Sequence, residues 1–411
     1  MSSNLQFDDT FDFTIKVQKY IGFPCCFDRY PESWLQTIKT NAVFWLCYSM
    51  LAYCVFGQLV NVVLLLIGHR QTTSALEEIA IQIVCTGFCI IGLLKMYGIA
   101  YHRNLLAQVI DDFRTRWNDL VRENPTDRKL IERMIRPTMA ITTAAAFCNI
   151  LMVSSFNFLP IPEMIFNRWK TGEWVRQLPY RIWFPCDATA GLIYYPIYFF
   201  EVYSGFIVAV GNVGFDNIFC LLTAHLTMQL KLLSSAIEGM IADGIPEQPE
   251  SELQAAVREN FYRAVQRHQS LLSCKDAMET VFSTTFFLNF AASTIIMCMQ
   301  GFLITTADFY VVIKFTLFMV CFLVEIFFLC YYGDEVLQKS SDIAQAAYGC
   351  RWYQQAVSGA NFGKNLIPVI VRAQQPMVLM AWKLWPITIN TFGMILNASW
   401  SYFTLLRTVI N

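Results

Sequence analysis

Five stretches of this chain, residues 40–69, 79–94, 137–162, 280–307 and 384–406, contain no Asp, Glu, Lys or Arg. A bilayer core about 30 Å thick takes about 20 apolar residues as helix, and most of these stretches reach that length. Two more apolar segments are interrupted by charge: Ala188 to Asn212 carries Glu201, and Phe309 to Tyr331 carries Lys314 and Glu325. Together they predict an all-α protein with seven membrane helices, at 41–67, 76–98, 138–160, 188–212, 280–302, 309–331 and 386–408. Composition agrees, with 55% of residues hydrophobic and 15% charged, against about 25% charged in a soluble domain.

The loops orient the bundle. The regions on the N-terminal side of the membrane hold 22 Lys and Arg and those on the other side six, with Lys95 and Lys314 inside spans. By the positive-inside rule the N-terminus is cytoplasmic and the C-terminus, after seven crossings, extracellular. Asp8, Asp9 and Asp12 stand where a signal peptide would need basic residues, so the first span is expected to insert uncleaved. This polarity opposes a G-protein-coupled receptor, the alternative seven-helix class. No Asp-Arg-Tyr closes the third segment and no Asn-Pro-x-x-Tyr lies in the seventh. A transporter reading is weakened by the odd helix number and the lack of an internal repeat.

Four regions follow: a cytoplasmic N-terminal segment (1–40), six membrane helices with cytoplasmic helical extensions (41–331), a cytoplasmic loop with an amphipathic anchor helix (332–385), and the seventh helix (386–411). The second loop reads as two helical stretches broken at Glu123-Asn124-Pro125, with Ile110, Phe113, Trp117, Leu120 and Val121 at helical spacing. The fourth loop shows helices over Leu221 to Met240 and Glu252 to Lys275, with a break at Gly244, Pro246 and Pro249. The external stretch Pro160 to Pro185 reads as an ordered lid whose Trp169, Trp174 and Trp183 either anchor at the membrane interface or roof a pocket.

Several chemistries are set aside. A net charge of −1 offers no basic excess for nucleic acid. Most of the 14 cysteines lie in apolar runs, where a thiol behaves as a small hydrophobe, and the four histidines are scattered, so neither a disulfide framework nor a metal site is expected. No phosphate loop, nucleophile elbow or Cys/His pairing at catalytic spacing supports an enzyme or a cofactor.

Ionisable groups inside a span are costly and therefore candidates for function. Glu201 lies mid-segment and Lys314 about one and a half turns into its own, where a pair across helices is one option and not the favoured one. Lys95 and Glu325 lie toward inner ends, where long side chains snorkel. On the seventh segment, which Pro386 is placed to open, Asn397, Ser401, Thr404 and Thr408 recur every three or four residues along one face. Such a stripe either bonds to neighbouring helices or lines a water-filled path, and Leu405 beside it would form an apolar constriction. One helix cannot enclose a pore, so the second option requires an oligomer. Phe88, Cys148, Met152, Ile197, Phe200, Ser204, Phe315 and Phe318, in the outer halves of four segments, are candidates to line an apolar cavity for small ligands; the same spacing also suits ordinary core.

The run Glu325 to Glu335 (Glu-Ile-Phe-Phe-Leu-Cys-Tyr-Tyr-Gly-Asp-Glu), then Ser340-Ser341, Ala346-Ala347-Tyr348, Cys350 and Trp352-Tyr353, and the terminal Ser401 to Arg407, resemble the insect odorant receptor family. Pro185-Cys186-Asp187, Glu201 and Asp216 to Phe219 match its fourth segment. The resemblance implies an odorant-gated cation channel of inverted seven-helix topology in the plasma membrane of olfactory neurons, assembled as a heterotetramer with the odorant receptor co-receptor and opened by small volatile organic molecules. It implies a pore-lining last helix with Leu405 as apolar gate and Thr408 as the polar residue beyond it. Gustatory receptors, the related alternative, carry Gln-Phe where this chain has Thr408-Val409. The co-receptor has a longer fourth loop, so the resemblance is to a tuning subunit.

Overall fold

The computed structural model describes residues 5–23, 34–68, 73–123, 127–241, 250–353 and 361–410. The Gly244–Pro249 break, residues 124–126, Cys25, Cys26, His69 and Arg70 lie outside them. The protein is almost entirely helical: α1 (Asp12–Lys19), α2 (Trp34–Gly68), α3 (Thr73–Tyr101), α4 (Arg103–Glu123), α5 (Asp127–Phe158), α6 (Pro160–Thr171), α7 (Tyr194–Glu238), α8 (Glu250–Thr306), α9 (Phe309–Gly349), α10 (Phe362–Ala373) and α11 (Ile389–Ile410). Six of the predicted spans fall in helices long and apolar enough to cross a membrane. The seventh is the 22-residue α11.

Most helices run well past the apolar runs that announce them. The 57 residues of α8 extend about 85 Å at 1.5 Å per residue, so the bilayer accounts for little more than a third of its length. Apolar stripes hold these extensions together: Leu106, Ile110, Phe113, Trp117 and Leu120 of α4 are buried at spacings of three and four. The N-terminal segment docks there too. Phe7 and Phe11 lie 4.8 and 5.7 Å from the His225 ring, and Thr10 Oγ1 is 3.1 Å from its Nε2.

Two predicted boundaries move. Residues 188–193 form turns, so the fourth span begins at Tyr194. Pro386 does not open the seventh helix; it belongs to a two-stranded ribbon of β1 (Met380–Ala381) and β2 (Trp385–Pro386). The turn between them holds Trp382 and Lys383 at φ 50° and 58°. Both are left-handed conformations, which cost non-glycine residues of order 1–3 kcal/mol each unless their surroundings impose them. Here the Trp382 N–H donates to Ser283 Oγ at 2.7 Å and its indole packs 4.7 Å from Phe287. The ribbon is thereby fastened to α8 immediately before α11 starts.

At the centre stands α7, nearly every residue of its apolar portion buried, packed against α3, α5, α8 and α9. The snorkelling expected of Lys95 is overturned. Its side chain is wholly buried, and Nζ reaches Asp216 Oδ2 at 2.7 Å and Glu325 Oε1 at 2.8 Å. Lys95, Asp216 and Glu325 thus tie α3, α7 and α9 together in the bundle interior. Nor does Glu201 pair with Lys314: it is buried, and its Oε2 accepts the Tyr180 N–H at 2.9 Å.

Candidate ligand cavity

Five parts of the chain converge on one buried cavity: Leu51, Cys54 and Gln58 of α2; Cys85, Phe88 and Cys89 of α3; Met152, Val153 and Phe156 of α5; Ser204, Gly205 and Val208 of α7; and Phe318 of α9, with Tyr180 and Ile182 above. The walls are almost wholly apolar and aromatic. Phe318 lies 5.1 Å edge-on to Phe88 and 5.8 Å from Phe156. The cavity measures about 30 Å³, room for one or two waters. Anything larger needs its walls to move apart, and one of those walls, Phe318, belongs to α9.

Of the eight residues expected around such a cavity, Phe88, Met152, Ser204 and Phe318 line it and the other four do not. Cys148 is exposed on α5, with its carbonyl accepting the Cys321 thiol. Ile197 is buried two turns from Ser204, toward the start of α7. Phe200 packs against Tyr53 and Phe184, beside the lid. Phe315 sits behind the wall, 5.4 Å from Phe156. The contribution of α2 was missed because its apolar run is uniform. Within it, Gln58 is a buried amide in a span, and that was the available signal.

The lid is ordered, but its tryptophans do not roof the cavity; Tyr180 and Ile182 do. Asn61 and Gln82 both donate to the Arg181 carbonyl, at 3.0 and 2.9 Å. The Trp183 N–H bonds Gly57 O at 3.2 Å, Arg181 pairs with Glu78, and Glu201 holds Tyr180. A Cβ on Gly57 would stand 2.5 Å from the Ile182 side chain, which explains the glycine where α2 meets the lid. Trp169 and Trp174 remain exposed, the latter under the Arg168 guanidinium.

On α11, Ile395, Ser399 and Phe403 are buried, with Phe403 against Gly301 of α8. On the opposite side Asn397, Ser401, Thr404 and Thr408 are exposed, as is Leu405 at 61%. Ser401, Thr404 and Thr408 each donate to a carbonyl of their own helix. None of these three bonds joins the stripe to another helix of the same chain.

A family model described as 7tm odorant receptor matches residues 75–400. Putative odorant receptor 92a of Drosophila melanogaster is 24% identical over 98% of this chain and 96% of its own length. Odorant receptor 13a of the same species is 27% identical over 95% and 96%, and odorant receptor 10 of Aedes albopictus 28% over 64% and 68%. The solved structure of the insect olfactory receptor OR5 from Machilis hrabei in complex with eugenol covers 98% of this chain and 99% of its own, with a TM-score of 0.78 at 14% identity, which is a likeness of fold.

Proposed function

The chain belongs to the 7tm odorant receptor family, and from that premise we propose that it is the ligand-binding subunit of an odorant-gated, nonselective cation channel, assembled as a heterotetramer with the odorant receptor co-receptor in the dendritic plasma membrane of an olfactory neuron. The carrying observation is the hydroxyl stripe of α11, exposed along the chain's outer surface opposite the face packed on α8. Acyl chains offer such a stripe nothing, whereas water in a conduit shared between subunits does. Leu405 narrows that conduit, with Ser401, Thr404 and Thr408 as its polar lining.

The ligand is a small volatile organic molecule held in the cavity under the lid. Burial supplies most of its affinity, about 0.8 kcal/mol per methylene. The structural neighbour's complex with eugenol supports a small organic guest for this fold. Displacement of Phe318 moves α9, and α9 touches the start of α11 where Gly333 lies against Ile387. A ligand must favour the open state by about 5.5 kcal/mol to carry an equilibrium from 1:99 to 99:1, so a small volatile opens the channel partially. The N-terminus lies in the cytoplasm, and α10, with Ile367 and Val371 exposed, rests on the inner membrane surface as an anchor.

Co-expression with the co-receptor under voltage clamp, with an odorant panel, tests the reading: ligand-evoked inward cation currents are expected, and second-messenger signalling without the co-receptor would refute it. Leu405→Ser should raise the unliganded current several-fold. Currents identical to wild type in the assembled channel would remove Leu405 from the gate. A tag at Met1 should stain only after permeabilisation, and staining of intact cells would reverse the topology.

A further inference from the structure

Besides thiols, three polar side chains interrupt the apolar wall of the cavity, Gln58, Ser204 and Tyr180, and two of them hold a buried oxygen without a hydrogen-bond partner. Gln58 is 1% exposed and its Oε1 has no hydrogen-bond partner; Ser204 is 3% exposed, and its Oγ has only the weak thiol of Cys54 beside it. Both line the same small space. A buried amide oxygen without a donor is among the least favourable things a helix interior can hold. Nearby amides behave differently: Gln82 and Asn61 each spend their NH₂ on the Arg181 carbonyl and serve the lid.

Resting on the ligand-gated reading above, the geometry points to a neutral hydroxyl compound, an alcohol or a phenol, as the ligand class. Gln58 Oε1 is an acceptor and takes only a donor. Ser204 Oγ–H can donate in return, so one hydroxyl serves both groups: its hydrogen goes to Gln58 and its lone pair accepts from Ser204. An aldehyde, ketone or ester accepts from Ser204, from the Tyr180 hydroxyl or from the Gln58 NH₂, but in every case leaves Gln58 Oε1 buried and unpaired. An amine that is charged at neutral pH is disfavoured, because no carboxylate is among the residues lining the cavity. Selectivity by functional group is sharper here than selectivity by chain length. A site built for a hydroxyl rejects the analogue lacking it far more strongly than an apolar wall rejects one methylene more or less.

The test compares pairs with the same heavy-atom skeleton, 1-hexanol against hexanal and benzyl alcohol against benzaldehyde. Two readouts are used: current in the receptor co-expressed with the co-receptor, and thermal stabilisation of the purified receptor in detergent. Each alcohol is expected to act at a concentration about tenfold lower than its aldehyde, which corresponds to one such hydrogen bond. In Gln58→Met, close in shape but without the acceptor, that ratio should fall toward one; Ser204→Ala serves as the second variant should the first not reach the surface. The ratio is taken within each variant, so expression level cancels. Equal potency in wild type, a ratio that survives Gln58→Met, or no stabilisation by any alcohol overturns the inference. Stabilisation that favours alcohols without current from either class would support it and refute the channel reading. Current without alcohol preference does the reverse.

Discussion

Lys95→Met is expected to prevent most of the receptor from reaching the cell surface, and to lower sharply the melting temperature of whatever is recovered in detergent. The ammonium sits 2.7 Å from Asp216 and 2.8 Å from Glu325, with Lys95 itself wholly buried. Methionine fills a similar volume but leaves two carboxylates in the bundle interior without their cation. Breaking a buried pair by removing one partner costs about 3–5 kcal/mol, because the remaining charge stays desolvated. Here the lost partner served two acids on different helices, so the contacts of α3 with α7 and α7 with α9 weaken together.

The neutral triple variant Lys95→Met, Asp216→Asn, Glu325→Gln separates charge from packing. It should restore most of the surface expression, since replacing a whole buried ionic cluster is far less damaging than stranding part of it. A triple variant no better than Lys95→Met would show that the stranded carboxylates are not what damages the single variant. Wild-type melting of the single variant would dismiss the cluster as a stabilising element.

The cluster also marks where the sequence stops being readable. Charge-free runs locate spans because the bilayer excludes charge from each helix separately, and each of the seven predicted spans falls largely within a helix, the fourth and seventh starting later than expected. Which buried charges meet is a different problem. Lys95 stands 121 residues from Asp216 and 230 from Glu325, and no local pattern links them. Placed on single helices, Lys95 looked close enough to a helix end to snorkel; only the packing of α3 behind α7 closes that route. The cavity divides along the same line. Phe88, Met152, Ser204 and Phe318 face it, but Phe200, one turn from Ser204 on α7, is turned toward Tyr53 and Phe184. A register read from periodicity holds along one face and fails at its edge, where a rotation of one residue, about 100°, decides between pocket and lid. The long extensions of α7 and α8 were legible in the sequence, whereas the continuation of α9 to Gly349, where a loop was expected, and the ribbon before α11 were not. Its turn uses Trp382 and Lys383 at positive φ instead of the glycine or asparagine that announces such turns.

Gly333→Ala should abolish or strongly weaken odorant-evoked current while leaving the receptor at the surface. A Cβ on Gly333 would overlap the carbonyl oxygen of Ile387 and stand 2.9 Å from its Cγ2. The carbonyl is backbone, so no rotamer change relieves the contact. Nor is that backbone free to retreat, since the Ile387 N–H bonds Leu379 O at 2.8 Å, and the ribbon is fastened to α8 through Ser283 and Phe287. The added methyl therefore pushes the start of α11 away from α9. Overpacking of this kind costs about 1–3 kcal/mol, which as a coupling energy is about a 5- to 150-fold change in the equilibrium between states. Because the strain falls on the junction between α9 and α11, under the proposed gating it should appear in the evoked current before it appears in folding. Gly349→Ala, at the far end of α9 where an added Cβ meets nothing within 4 Å, provides the comparison. Superimposable dose–response curves for Gly333→Ala and wild type, at equal surface density, would mean that motion of α9 does not reach α11 through this contact.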